Sequence, residues 1–101
     1  MIRHRILWKL KESLSAEEAA LVKQKAKREL EGLVGQIEGL VSLTVEIHGL
    51  PSSNADMLLD SLFVDTEALK NYSTSPIHNA VADAFVRPFT AQRLCLDYEE
   101  C

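Results

Sequence analysis

Apolar and polar positions alternate from Met1 to Lys11. Ile2, His4, Ile6, Trp8 and Leu10 fall on one side; Arg3, Arg5, Leu7, Lys9 and Lys11 fall on the other. A period of two predicts a strand whose first face is buried. The period then lengthens. Ser15-Ala16-Glu17-Glu18 has the form of a capping box, where the serine and the later glutamate each satisfy a backbone N–H at a helix start. Behind it Ala19, Val22, Ala26, Leu30, Leu33 and Ile37 recur at steps of three and four. This predicts one apolar stripe on a helix of about five or six turns, with Gly35 and Gly39 bracketing its end.

Alternation resumes from Leu40 to His48, with Val41, Leu43, Val45 and Ile47 on one face. Gly49 to Asn54 is turn chemistry, and Met57 to Val64 is an apolar run of strand length. Asp65 suits the N-cap of a helix from Thr66 to about Ser73. Pro76 cannot lie inside that helix, because it lacks an N–H and disfavours helical geometry at the residue before it. Ser75 and Pro76 therefore read as the N-cap and first position of another helix, running to about Val86 and stopped by Pro88. Ala91 to Tyr98 closes the chain as a strand, with Leu94, Leu96 and Tyr98 on one face.

The predicted order is β-α-β-β-α-β, with the second helix broken at Pro76. This is an α+β, ferredoxin-like pattern: a four-stranded antiparallel sheet with its helices on one face. The other sheet face keeps Leu7 and further apolar side chains. An open patch of that kind predicts a homodimer in which two sheets meet. Arg3, Arg5 and Lys9 on that face must then pair with acids or lie at a rim.

Length and composition narrow the field. The chain has 101 residues and reads as a single domain over 1–101. Its core is thin, which also favours a partner subunit. The net charge is −4, which argues against nucleic acid. No apolar run approaches the length of a membrane span, so no membrane is expected as a partner. The two cysteines, Cys95 and Cys101, do not make a disulfide framework, and the expected location is cytoplasmic. Cys95, in an apolar strand, is expected in the core and Cys101 as a free thiol. There is no Gly-rich phosphate loop, no Ser-His-Asp order and no CxxC.

Several short segments carry a resemblance when taken in order. Ile2-Arg3-His4 opens the first strand and Trp8-Lys9-Leu10-Lys11 closes it; Ile37-Glu38-Gly39-Leu40 leads into the second. Phe63-Val64-Asp65, Ala68-Leu69 and Tyr72 mark the start of the broken helix, Pro76-Ile77-His78 its break, and Leu96-Asp97-Tyr98 the end. With these marks the chain resembles the stress-responsive A/B barrel domain (Dabb) family over nearly its full length. The resemblance implies a dimeric α+β barrel and a homodimer, but no single activity. A few plant members are polyketide cyclases, and others are tied to stress tolerance. Two positions depart from the family pattern: Ser75 stands where a histidine is common, and Glu38 where proline is.

In the cyclase members a histidine at the place of His78 acts as base, and a tyrosine at the place of Tyr72 assists. The bend between the helices can aim both side chains into one cavity. Removing a proton between two carbonyls calls for an imidazole, and the enolate oxygen calls for a donor such as a phenol. A helix N-terminus also favours neutral His78. His4, on the buried face of the first strand, is a secondary candidate from the sheet below. Ile6, Trp8, Val81 and Phe85, with Tyr72, are expected to line an apolar pocket. No metal and no cofactor are expected, since two histidines without a third ligand or a carboxylate make a poor metal site. Two readings stay open. One is a dimer that binds a small apolar carbonyl-bearing ligand or acts in stress response; the other is a cofactor-free cyclase, lyase or isomerase. For both histidines and Tyr72, plain core packing is the rival.

Overall fold

In a computed structural model describing residues 1–101, the chain runs β1 (Ile2–Leu10), α1 (Ala16–Glu31), β2 (Leu40–Glu46), β3 (Met57–Phe63), α2 (Thr66–Thr74), α3 (Pro76–Phe85) and β4 (Thr90–Glu99). A 3₁₀ turn at Arg87–Phe89 links α3 to β4. The strands form one antiparallel sheet in the order β2-β3-β1-β4. This is the ferredoxin-like fold, with the second helix split in two. No helix is long and apolar enough to cross a membrane.

The local signals act where the sequence places them. Ser15 accepts from the Glu18 N–H while Glu18 accepts from the Ser15 N–H, closing the capping box. Asp65 caps α2 by accepting from the Ala68 N–H at 2.8 Å. Ser75 occupies the N-cap of α3, but its side chain makes no capping hydrogen bond. Instead Asn79 reaches back across the break, its side-chain amide donating to the Ser73 and Ser75 carbonyls.

Helix α1 ends earlier than its stripe suggests. It stops at Glu31, and Leu33 and Ile37 are buried from the turns that follow. Lys27 holds this end to the sheet. It donates to the Glu31 carboxylate and to the Val45 carbonyl, while the Val45 N–H donates to Glu31. Burial disfavours the charged form of Glu31, but these partners outweigh it and hold its carboxyl below the usual range.

Strand β2 also departs from the simple pattern. The pairing with β3 slips between Leu40 and Ser42, so Val41 is bulged out and exposed and Leu40 takes its place inside. The turn before it needs Gly39. Its φ is +85°, and a Cβ there would lie 2.4 Å from that of Ala68. The approach lets the Gly39 carbonyl accept from the Val64 N–H at the start of the α2 connection.

The core lies between the helices and β1, β2 and β3. Phe63, Ala26, Leu30, Val45 and Leu59 are essentially sealed. Strand β4 contacts chiefly β1, and the helices do not extend over it. Cys95, expected in the core, is therefore exposed, because its strand lies beyond the helical layer. The outer sheet face is open too: Leu7 is 42% exposed, Leu94 62% and Leu96 65%. Two of the three cations on that face are paired, and Lys9 forms no ion pair. Arg3 bridges Asp60 and Glu100, and Arg5 reaches Asp60 and lies over the Tyr98 ring.

Candidate functional site: a cleft beneath the helix break

The break at Pro76 turns two side chains toward each other. Tyr72 ends the buried face of α2, and His78 is in the first turn of α3. Their ring centroids are 4.0 Å apart with planes inclined by 34°. His4 joins them from β1, its centroid 6.1 Å from the Tyr72 ring and 6.1 Å from Phe63, both edge-on. Residues from three elements, His4 from the sheet and Tyr72 and His78 from the helices, thus line one cleft of about 160 Å³.

Ile6, Trp8, Leu59, Ala82 and Val86 supply apolar lining, and Arg87 and Arg93 lie with the polar groups. Val81 and Phe85 do not line it. Val81 packs against the core, and Phe85 faces a separate groove with Leu14, Leu21 and Phe89. The helix presents Ala82 and Val86, one residue further on, to the cleft.

Two polar atoms in the site have no protein partner: the Tyr72 hydroxyl and His78 Nδ1 are both buried without a hydrogen bond. Buried polar groups usually find partners, so two orphans in one cleft are unusual. Burial pushes the Tyr72 phenol up to about 12, with Arg93 and Arg87 pulling the other way. The hydroxyl is therefore a donor at neutral pH. Burial also pushes His78 down to about 4, reinforced by Arg87, His4 and Arg93 and opposed by Asp83. His78 is neutral at pH 7 and is a weak base.

His4 is held differently. Its Nδ1 is 2.5 Å from Asp97 Oδ1, directly across the β1–β4 pairing. Cys95 Sγ lies 3.7 Å from the same nitrogen and 3.4 Å from the same carboxylate. Burial, and then Asp97, raise the Cys95 thiol above its usual range. His4, Cys95 and Asp97 are the residues whose donor atoms could share a metal ion. The expectation of no metal rested on lacking a third ligand and a carboxylate, and the fold supplies both donor types.

Sequence reasoning missed Arg87, Arg93 and Asp97. The alternation of β4 held a signal: with Leu94, Leu96 and Tyr98 on one face, Arg93, Cys95 and Asp97 must share the other. Their neighbours depend on the strand register, which sets Arg93 opposite Trp8 and Asp97 opposite His4.

Comparison with solved structures gives the same fold. A dimeric protein of ferredoxin-like fold from Bacteroides fragilis is 27% identical, covering 98% of this chain and 95% of that one, with a TM-score of 0.92. A Dabb family protein from Mesorhizobium loti is 20% identical over 99% and 96% of the two chains, with a TM-score of 0.76. The hydroxynitrile lyase of Passiflora edulis is 17% identical over 96% and 90%, with a TM-score of 0.69. No curated protein matches the chain. The model of the stress-responsive A/B barrel domain matches residues 2–100, and the chain belongs to that family.

Proposed function

We propose that this chain forms a homodimer through the outer face of its sheet, and binds a small, largely apolar, carbonyl-bearing molecule in the cleft beneath the helix break. The observation that carries the binding reading is the pair of unpartnered polar atoms, the Tyr72 hydroxyl and His78 Nδ1. A ligand carbonyl oxygen would accept from Tyr72, while Ile6, Trp8 and Val86 supply apolar contact. The homodimer reading is supported by exposed Leu7, Leu94 and Leu96 and by the dimeric Bacteroides fragilis protein of the same fold. Titration with cyclohexanone, followed by amide NMR shifts, tests the binding. Shifts should concentrate at Tyr72, His78 and Val86; shifts scattered over the surface, or none at millimolar ligand, would reject it.

A second reading, a cofactor-free enzyme, draws on the same pair. A base removes the proton from a carbon between two carbonyls, and the electron pair moves onto a carbonyl oxygen. Tyr72, kept protonated by burial, donates to the enolate that results. His78 is the base nearest that donor, and His4, aligned by Asp97, is the second imidazole of the cleft. The weak basicity of His78 counts for the binding reading, since a general base works best with a pKa near the working pH. Deuterium exchange at the central carbon of acetylacetone separates the two. Acceleration by the protein, abolished in His78→Ala and lowered by about 10²-fold in Tyr72→Phe, supports the enzyme. The same rate with and without protein leaves binding alone.

A further inference from the structure

We propose that the cleft selects a ligand carrying a negative charge, a small carboxylate, and that Arg93 is its counter-ion. This rests on the reading of the cleft as a ligand site and adds the charge of the ligand to it.

Two arginines and two histidines line the cavity, and no aspartate or glutamate does. This is unexpected in a chain whose net charge is −4. The acids nearby are already engaged. Asp83 pairs with Arg87 at 2.6 Å, and Asp97 pairs with His4 at 2.5 Å. Arg87 has its remaining reach taken by the Asn79 side-chain oxygen at 3.1 Å. Arg93 stands apart, forming no ion pair and no hydrogen bond to a carboxylate, and its neighbour on the strand is the Cys95 thiol.

Position adds to this. Arg93 pairs across the sheet with Trp8, whose ring is part of the apolar wall. Arg93, Trp8, Tyr72 and His78 line the same cavity, so a molecule lying against Trp8 meets a guanidinium, a phenol and an imidazole. The Tyr72 hydroxyl is buried, neutral and unpartnered, so an acceptor on a ligand would satisfy its O–H. A carboxylate offers acceptors to both Tyr72 and Arg93. A guanidinium meets a carboxylate through two parallel N–H donors, which is the strongest match available to it. A ligand cation would face two arginines with no acid lining the cavity. The volume, about 160 Å³, limits the ligand to one ring or a short chain; an apolar cavity of about 150 Å³ takes benzene.

The protein carries its own probe. Trp8 is the one tryptophan of the chain and lies in the cleft, so its fluorescence reports occupancy. Benzoate and benzamide have nearly the same size and differ in charge. At pH 7 and constant ionic strength, benzoate should bind wild-type protein about tenfold more tightly than benzamide, the scale of one charge-assisted bidentate contact. Arg93→Gln should bring the two affinities to within about a factor of two, by loss of benzoate binding with benzamide unchanged. Arg93→Lys should keep part of the preference. Arg93 is exposed and forms no ion pair, so these variants should fold, and circular dichroism checks it. Equal affinity for the two probes in the wild type, or an undiminished preference in folded Arg93→Gln, overturns the carboxylate assignment while leaving the ligand site intact. No Trp8 response to either probe at millimolar concentration overturns both.

Discussion

At the scale of single residues, the cleft costs stability. The Tyr72 hydroxyl is buried without a partner, a condition that costs roughly 1–3 kcal/mol. Tyr72→Phe keeps the ring that packs edge-on against Phe63, 5.0 Å between centroids, and removes only the orphaned group. It should raise unfolding stability by about 1 kcal/mol in urea titration, while weakening any ligand that accepts from the hydroxyl. His78 gives a matching pH signature. Its pKa falls from 6.5 to about 4 on folding, so below pH 6.5 the unfolded chain takes up a proton that the folded chain refuses. The stability this neutral ring contributes is complete above pH 6.5 and is lost as the pH falls toward 4. Wild-type protein should therefore lose more stability between pH 7 and pH 5 than His78→Gln does. Equal losses in urea titrations at the two pH values would show that His78 is not held neutral by the fold.

At the scale of elements, the sequence signals were strongest where a side chain acts on its own backbone. The capping box at Ser15, the Asp65 cap and the break at Pro76 are local chemistry, and each lies where the pattern indicated. What failed was anything decided by a neighbour. The stripe through Leu33 and Ile37 reads as helix, yet those residues are buried from turns, because burial needs only a direction and not a helical backbone. Val41 reads as a core position, but a bulge inserted against β3 moves Leu40 inside. Cys95 reads as buried because its strand is apolar, and it is exposed because the helices stop short of β4. The same limit governs the cleft. Tyr72 and His78 were legible from the helix break, whereas Arg93 and Asp97 enter through a strand register that no local pattern encodes. The turn at Gly39 can be tested directly. Gly39→Ala meets both a positive φ and the Ala68 methyl, and should cost about 3 kcal/mol in thermal or urea unfolding. A loss under about 1 kcal/mol would mean that the turn relaxes freely.

At the scale of the molecule, the sheet has two faces with different fates. The inner face is covered by α1, α2 and α3 over β1, β2 and β3, and the outer face leaves Leu94 and Leu96 about two-thirds exposed, at 62% and 65%. If the outer face is the dimer contact, Leu96→Glu should hold the chain near its monomer mass of 11.3 kDa, where wild-type protein sediments at about twice that. A wild-type monomer at micromolar concentration would remove the homodimer proposal and leave the cleft proposals standing. Pairing Arg3 and Arg5 with Asp60 and Glu100 neutralises two of the three cations on that face. The position of β4 has a further consequence. It is an edge strand bound to one neighbour, β1, and it carries Arg93 and Asp97, while the facing wall belongs to two short helices joined at Pro76. The cleft is therefore bounded by an edge strand on one side and by two short helices on the other, and small local openings there need not disturb the β1–β3 centre. In native-state hydrogen exchange, β4 and α3 should exchange through such openings well before β1 and β3, so a cleft already open to solvent at Arg93 can widen to admit a bulkier ligand.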